Sequence, residues 1–122
     1  MTNTQKILII DDDEIFLNLL GTILGDEGYE VISTADGPQG VDIFTQQKPD
    51  VVLIDLALPT MGGLEVLRKI RELDANARIL VVTGHASDES EEVALHAGAA
   101  AYIAKPVRPA ELLDQIGKLI GA

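Results

Sequence analysis

The chain has no cysteine and no tryptophan, and aromatic residues make up only 3% of it. Without cysteine there is neither a disulfide framework nor thiolate chemistry, and a cytoplasmic location is expected. With so few rings, the core of these 122 residues must be built from Ile, Leu, Val and Ala. No apolar run approaches the roughly 18 residues that span a bilayer. The opening Met1-Thr2-Asn3-Thr4-Gln5-Lys6 lacks the basic and apolar regions of a signal peptide. Positive charge is also scarce, with 9 Lys and Arg against 20 Asp and Glu and a formal net charge of −11. Such a field repels nucleic acid and anionic lipid, so neither direct nucleic-acid binding nor a membrane partner is expected. It suits metal ions and basic protein surfaces better. Finally, no Ser/Gly/Pro linker, internal repeat or low-complexity segment marks a second domain, and one domain over 1–122 is the expectation.

What is present is a regular alternation. Short β-branched runs near 6–10, 30–34, 51–54, 79–83 and 100–104 read as strands. Amphipathic stretches near 14–27, 38–47, 63–73, 88–97 and 109–120 read as helices. The first helix sets Ile15, Phe16, Leu19, Leu20, Ile23 and Leu24 at the spacing of one buried face, with Gly28 as its stop signal. The last repeats the pattern with Leu112, Leu113, Ile116, Leu119 and Ile120, opened by Pro109. Five βα units imply an α/β fold, a five-stranded parallel sheet with helices on both faces. The fourth helix has the least to bury, with Val93, Ala94, Leu95 and Ala97. Asp88 with Glu91 offers it a capping box. It reads either as a mobile element or as a merely short helix.

Four strands end in polar residues of a particular kind. Asp11 and Asp12 follow the first, Asp55 the third, Thr83 closes the fourth, and Lys105-Pro106 follows the fifth. In a parallel sheet these ends share one edge, where the ligand crevice of doubly wound folds lies. Two carboxylates about 5 Å apart repel by roughly 3 kcal/mol at an effective dielectric near 20, so three together call for a cation or a proton. Asp13 and Glu14 are assigned to helix capping, the ordinary use of acids after a strand. Asp11, Asp12 and Asp55, drawn from two strand ends, suit a hard divalent cation. Asp55 fits a metal ligand or a nucleophile forming an aspartyl-phosphate. A hydroxyl and an ammonium do little for a bare cation, but Thr83 and Lys105 both suit the oxygens of a phosphoryl group.

With these residues in place, the chain resembles a response regulator receiver domain of two-component signalling over essentially its whole length. The matching pieces are Ile7 to Glu14, Asp55 with Leu58-Pro59-Thr60-Met61-Gly62-Gly63, Thr83-Gly84, and Lys105-Pro106. The resemblance implies a doubly wound, flavodoxin-like sheet of order 2-1-3-4-5. It implies that Asp55 accepts a phosphoryl group from a phosphohistidine on a sensor histidine kinase or histidine phosphotransfer protein. Mg²⁺ would be held by Asp11, Asp12, Asp55 and the backbone carbonyl of Ala57. Thr83 and Lys105 would contact the phosphoryl oxygens, and Lys105-Pro106 would be a cis peptide. Tyr102 would be the switch aromatic coupled to Thr83, moving a surface of helix 4, strand 5 and helix 5 toward a downstream protein or effector domain.

On this reading the protein is no enzyme beyond its own phosphorylation and dephosphorylation. Ala57 offers no polar side chain to the site, His85 follows Thr83 by two, Val107 is a mild departure, and His96 is expected at the surface. The pattern stops after its fifth helix, which fits a stand-alone regulator or a receiver cut from a longer one. A dehalogenase-like phosphatase is disfavoured because Asp55-Leu56-Ala57 lacks the Asp-x-Asp pattern. A nucleotide or flavin binder is disfavoured because Asp11 to Glu14 would repel phosphate and no Gly-x-Gly-x-x-Gly is present.

Overall fold

The strands and helices alternate as expected in the computed structural model, which describes residues 4–121. Residues 1–3 and 122, part of the expected domain span and of the N-terminal segment read above, lie outside the described residues. In chain order the elements are β1 (Lys6–Ile10), α1 (Glu14–Asp26), β2 (Glu30–Thr34), α2 (Gly37–Gln47) and β3 (Val51–Ile54). Then follow α3 (Gly63–Leu73), β4 (Ile79–Thr83), α4 (Asp88–Ala97), β5 (Ala101–Ala104) and α5 (Pro109–Gly121). All pairings are parallel and the order is β2-β1-β3-β4-β5.

The period-2 pleat sorts the core into two layers. Leu8, Ile10, Val52, Ile54, Ile79 and Val81 face Phe44 of α2, Val66, Leu67 and Ile70 of α3, and Ala94 of α4. Their neighbours Ile7, Ile9, Val51, Leu53, Leu80, Val82 and Ile103 face Leu20 and Leu24 of α1 and Leu112 and Ile116 of α5. Because both faces are covered, every residue of β3 and β4 is buried. Among the described residues no helix is long and apolar enough to cross a membrane.

Local chemistry sets the helix ends. Asp13 caps α1 by accepting from the N–H groups of Ile15 and Phe16, and Asp36 caps α2 by accepting from Gln39 N–H. Gly28, at φ 94°, turns the chain out of α1. Two expectations are corrected. The capping box of α4 is made by Ser87 and Ser90, not by Asp88 and Glu91, because the helix starts at Asp88 and the N-cap falls one residue earlier. The apolar stripe of α1 is also wider than what covers it. Leu20 and Leu24 are buried, whereas Ile15 and Leu19, one turn apart, are 81% and 55% exposed.

Candidate functional site

Register brings the polar strand ends together. Ile10 pairs with Ile54, so Asp11 and Asp55 follow on adjacent strands, and Asp55 N–H donates to the Ile10 carbonyl at 3.0 Å. Thr83 pairs with Ala104, and Lys105 N–H donates back to the Thr83 carbonyl at 2.9 Å. From β1 the chain steps outward to β2 and then returns to β3 on the other side, so the order reverses at this crevice. Asp11, Asp55 and Thr83 are all buried there, while Asp12 is exposed at the mouth.

The carboxylates are held in a common way. One oxygen of each is fixed by backbone: Asp11 Oδ1 accepts from Asp13 N–H at 2.9 Å, and Asp55 Oδ1 from Ala57 N–H at 3.1 Å. The other oxygen of each faces Lys105, whose Nζ donates to Asp11 Oδ2 at 2.7 Å and Asp55 Oδ2 at 3.2 Å. The same ammonium lies 4.1 Å from the centroid of the Phe16 ring. Carboxylate oxygens of Asp11, Asp12 and Asp55 all lie within 4.8 Å of one another. Burial pushes the Asp11 carboxyl above its ordinary range, outweighing the hydrogen bond from Lys105 that pulls it down. Burial works to lower the Lys105 pKa, but the hydrogen bond and charge of Asp11, joined by Asp55, together raise it.

One ammonium against three carboxylates leaves the rim anionic. The donors are all oxygens at the separation of a shared ligand, so the residues present fit a hard divalent cation. Thr83 Oγ1 accepts from His85 N–H at 3.2 Å and has its own proton to give. The Lys105–Pro106 peptide is cis. Ala57, His85 and Asp12 are exposed around the opening, and exposed His96 stands 3.9 Å from Glu92 on α4.

Tyr102 was named from the sequence, but several of the contacts that set the site were not. Tyr102 is half-buried on β5, and its hydroxyl shares a hydrogen bond with Ser90 Oγ, the residue that closes the capping box of α4. The first turn of α4 is therefore tied to β5 by one side chain. Its other end is tied to α3, where Arg71 donates to the Gly98 carbonyl. Between these ties α4 buries only Ala94, with Val93 and Leu95 exposed. Gly63 is required by contact: a Cβ there would lie 2.0 Å from the carbonyl oxygen of Asp55. Phe16 carried no signal beyond its place in an apolar stripe.

The sequence model of the response regulator receiver domain matches residues 7–117. Sporulation initiation phosphotransferase F of Bacillus subtilis is 34% identical over 116 residues, covering 95% of this chain and 94% of that protein. A CheY-like response regulator receiver domain protein from Methanospirillum hungatei superposes with a TM-score of 0.94 at 39% identity, covering 98% of this chain and 95% of the other. The CheX–CheY–BeF3–Mg complex from Borrelia burgdorferi contains a further similar chain. Its TM-score is 0.90 at 30% identity, over 94% of this chain and 88% of that one.

Proposed function

The chain belongs to the response regulator receiver domain family of two-component signalling, and from that premise we propose that Asp55 is its phosphoryl acceptor. The observation that carries the reading is the Lys105 ammonium set between the Oδ2 atoms of two buried carboxylates whose Oδ1 atoms are held by backbone. Oδ1 is engaged by Ala57 N–H, and we assign the attack to Oδ2, the oxygen that Lys105 faces. The donor is a phosphohistidine of a sensor histidine kinase or histidine phosphotransfer protein. The P–N bond breaks, a P–O bond forms to Asp55, and the imidazole leaves with the bonding pair and is protonated. Lys105 already stands within hydrogen-bond reach of the oxygen that would carry the phosphoryl group, and Thr83 supplies a hydroxyl from β4.

Asp11, Asp12 and Asp55, with the backbone carbonyl of Ala57, would hold Mg²⁺. When bound it offsets carboxylate repulsion and withdraws charge from the phosphoryl oxygens. The Mg²⁺ in the structure of the Borrelia relative supports that choice of ion. The receiver unit spans the chain and acts in the cytoplasm, without catalysis beyond its own phosphorylation and dephosphorylation.

The output is the surface of α4, β5 and α5. Thr83, drawn toward the phosphoryl group, changes the setting of Tyr102, and Tyr102 holds the start of a weakly buried α4 through Ser90. A phosphoryl charge need bias such a pair of states by only a few kcal/mol. Amide NMR spectra with Mg²⁺ and phosphoramidate test this. Shifts are expected at Asp55, Thr83, Ser90 and Tyr102 together; spectra unchanged by the donor, or changing equally in Asp55→Asn, overturn the assignment.

A further inference from the structure

A lysine placed by four flexible methylenes is a poor instrument unless something fixes its end. The Lys105 ammonium has three N–H donors, and two of them are accounted for by Asp11 Oδ2 and Asp55 Oδ2. A further side of it meets the Phe16 ring, with Nζ 4.1 Å from the centroid. That is inside the distance at which the negative face of an aromatic ring attracts a cation. The ring itself is well anchored. Phe16 lies in the first turn of α1, where its N–H donates to Asp13 Oδ1 at 3.2 Å. Its side chain packs against the core layer of Leu20 and Leu24.

We propose that Phe16 is a positioning residue for Lys105, holding the ammonium at the rim alongside its two acids; this rests on the reading of Lys105 above. A ring suits the task better than a third hydrogen-bond acceptor. Its attraction is weakly directional, so the ammonium can turn from carboxylate to phosphoryl oxygens without breaking a further bond. The ring adds no charge to an already anionic cluster. Phe16 also lines a groove of about 240 Å³ with Leu19, Leu20, Ile23, Pro106 and Val107.

The test compares wild type, Phe16→Leu, Phe16→Tyr and Lys105→Met. Phosphorylation by phosphoramidate with Mg²⁺ is followed by intact mass, and the Lys105 ε-methylene proton shift is followed by NMR. Phe16→Leu keeps apolar volume and removes the ring. It is expected to slow phosphorylation about three- to tenfold, the range of one partly desolvated cation–ring contact. It should also abolish the upfield ring shift of the Lys105 ε protons. Phe16→Tyr should restore both to within about twofold, a rescue that mere packing would not require. Phe16→Leu as fast as wild type, with Lys105→Met impaired, overturns this inference alone. Lys105→Met as fast as wild type overturns the reading of Lys105 and this inference with it.

Discussion

Replacing Asp12 with Asn removes one charge from the rim while keeping the volume and a polar tip at an exposed position. In the wild type the carboxylate oxygens of Asp11, Asp12 and Asp55 lie within 4.8 Å of one another. At that separation two like charges repel by about 3.5 kcal/mol at an effective dielectric of 20, and by about 0.9 kcal/mol in water. Asp12 sits at the solvent side, so the lower end applies to each of its two pairs. The attraction of the nearby Lys105 offsets part of the sum. A net gain of about 1 kcal/mol for the metal-free variant follows, or a few degrees in Tm for a chain of this size. Divalent metal reverses the order. Mg²⁺ at about 100 times its Kd stabilises the wild type by about 2.7 kcal/mol, and a variant lacking one ligand gains less. Thermal unfolding in EDTA and in excess Mg²⁺ checks both halves. A variant less stable than wild type in EDTA would show that Asp12 is structurally paired. An equal Mg²⁺ gain in both proteins would show that it is no ligand.

The remaining predictions concern the same rim. Because the pKa of the buried Asp11 carboxyl is raised in the folded state, the native protein binds more protons than the unfolded chain above the ordinary value of 3.8. Metal-free stability should therefore fall as pH rises from there through the folded pKa, and Asp11→Asn should flatten that descent. Urea midpoints across the acid range measure it, and an unchanged slope in the variant contradicts it. Gly63→Ala puts a Cβ 2.0 Å from the Asp55 carbonyl oxygen and 2.6 Å from Leu56 Cα, both backbone. A loss of about 3 kcal/mol or more is expected in urea unfolding, and a neutral variant would mean that the start of α3 can move away from β3.

Much of this was legible in the sequence because two periodicities and a few strand-end residues carry it. The runs at Ile7–Ile10 and Val51–Ile54 end directly in acids, and parallel register does the rest by setting Ile10 opposite Ile54. The acids, Thr83 and Lys105 could thus be placed on one edge from their order alone. What failed was whatever depends on the third dimension. Periodicity marks Ile15 and Leu19 as apolar but cannot show how much of α1 the sheet and α5 will cover. The capping box moved because Ser87 and Asp88 are both able N-caps, and spacing does not choose between them. The tie between Ser90 and Tyr102, the Arg71 bond to the Gly98 carbonyl and the seating of Lys105 on Phe16 join residues from different elements. No local rule announces such contacts.

The resemblance describes Lys105 by a contact to phosphoryl oxygens, whereas the structure shows its contacts to carboxylates. The lysine is bound to two carboxylates, and Asp11 is its shorter contact. Charge on the rim is thus partly compensated. On the proposed function, a phosphoryl group on Asp55 would have to compete with Asp11 for the ammonium.

Peptide mapping of the phosphorylated protein tests the central claim most directly. The protein is incubated with Mg²⁺ and phosphoramidate, its intact mass is taken, and the adduct is located by fragmentation. The account predicts one phosphate adduct on Asp55, absent in Asp55→Asn and sharply reduced when EDTA replaces Mg²⁺. No adduct on the wild type, or an undiminished one on Asp55→Asn, would contradict it.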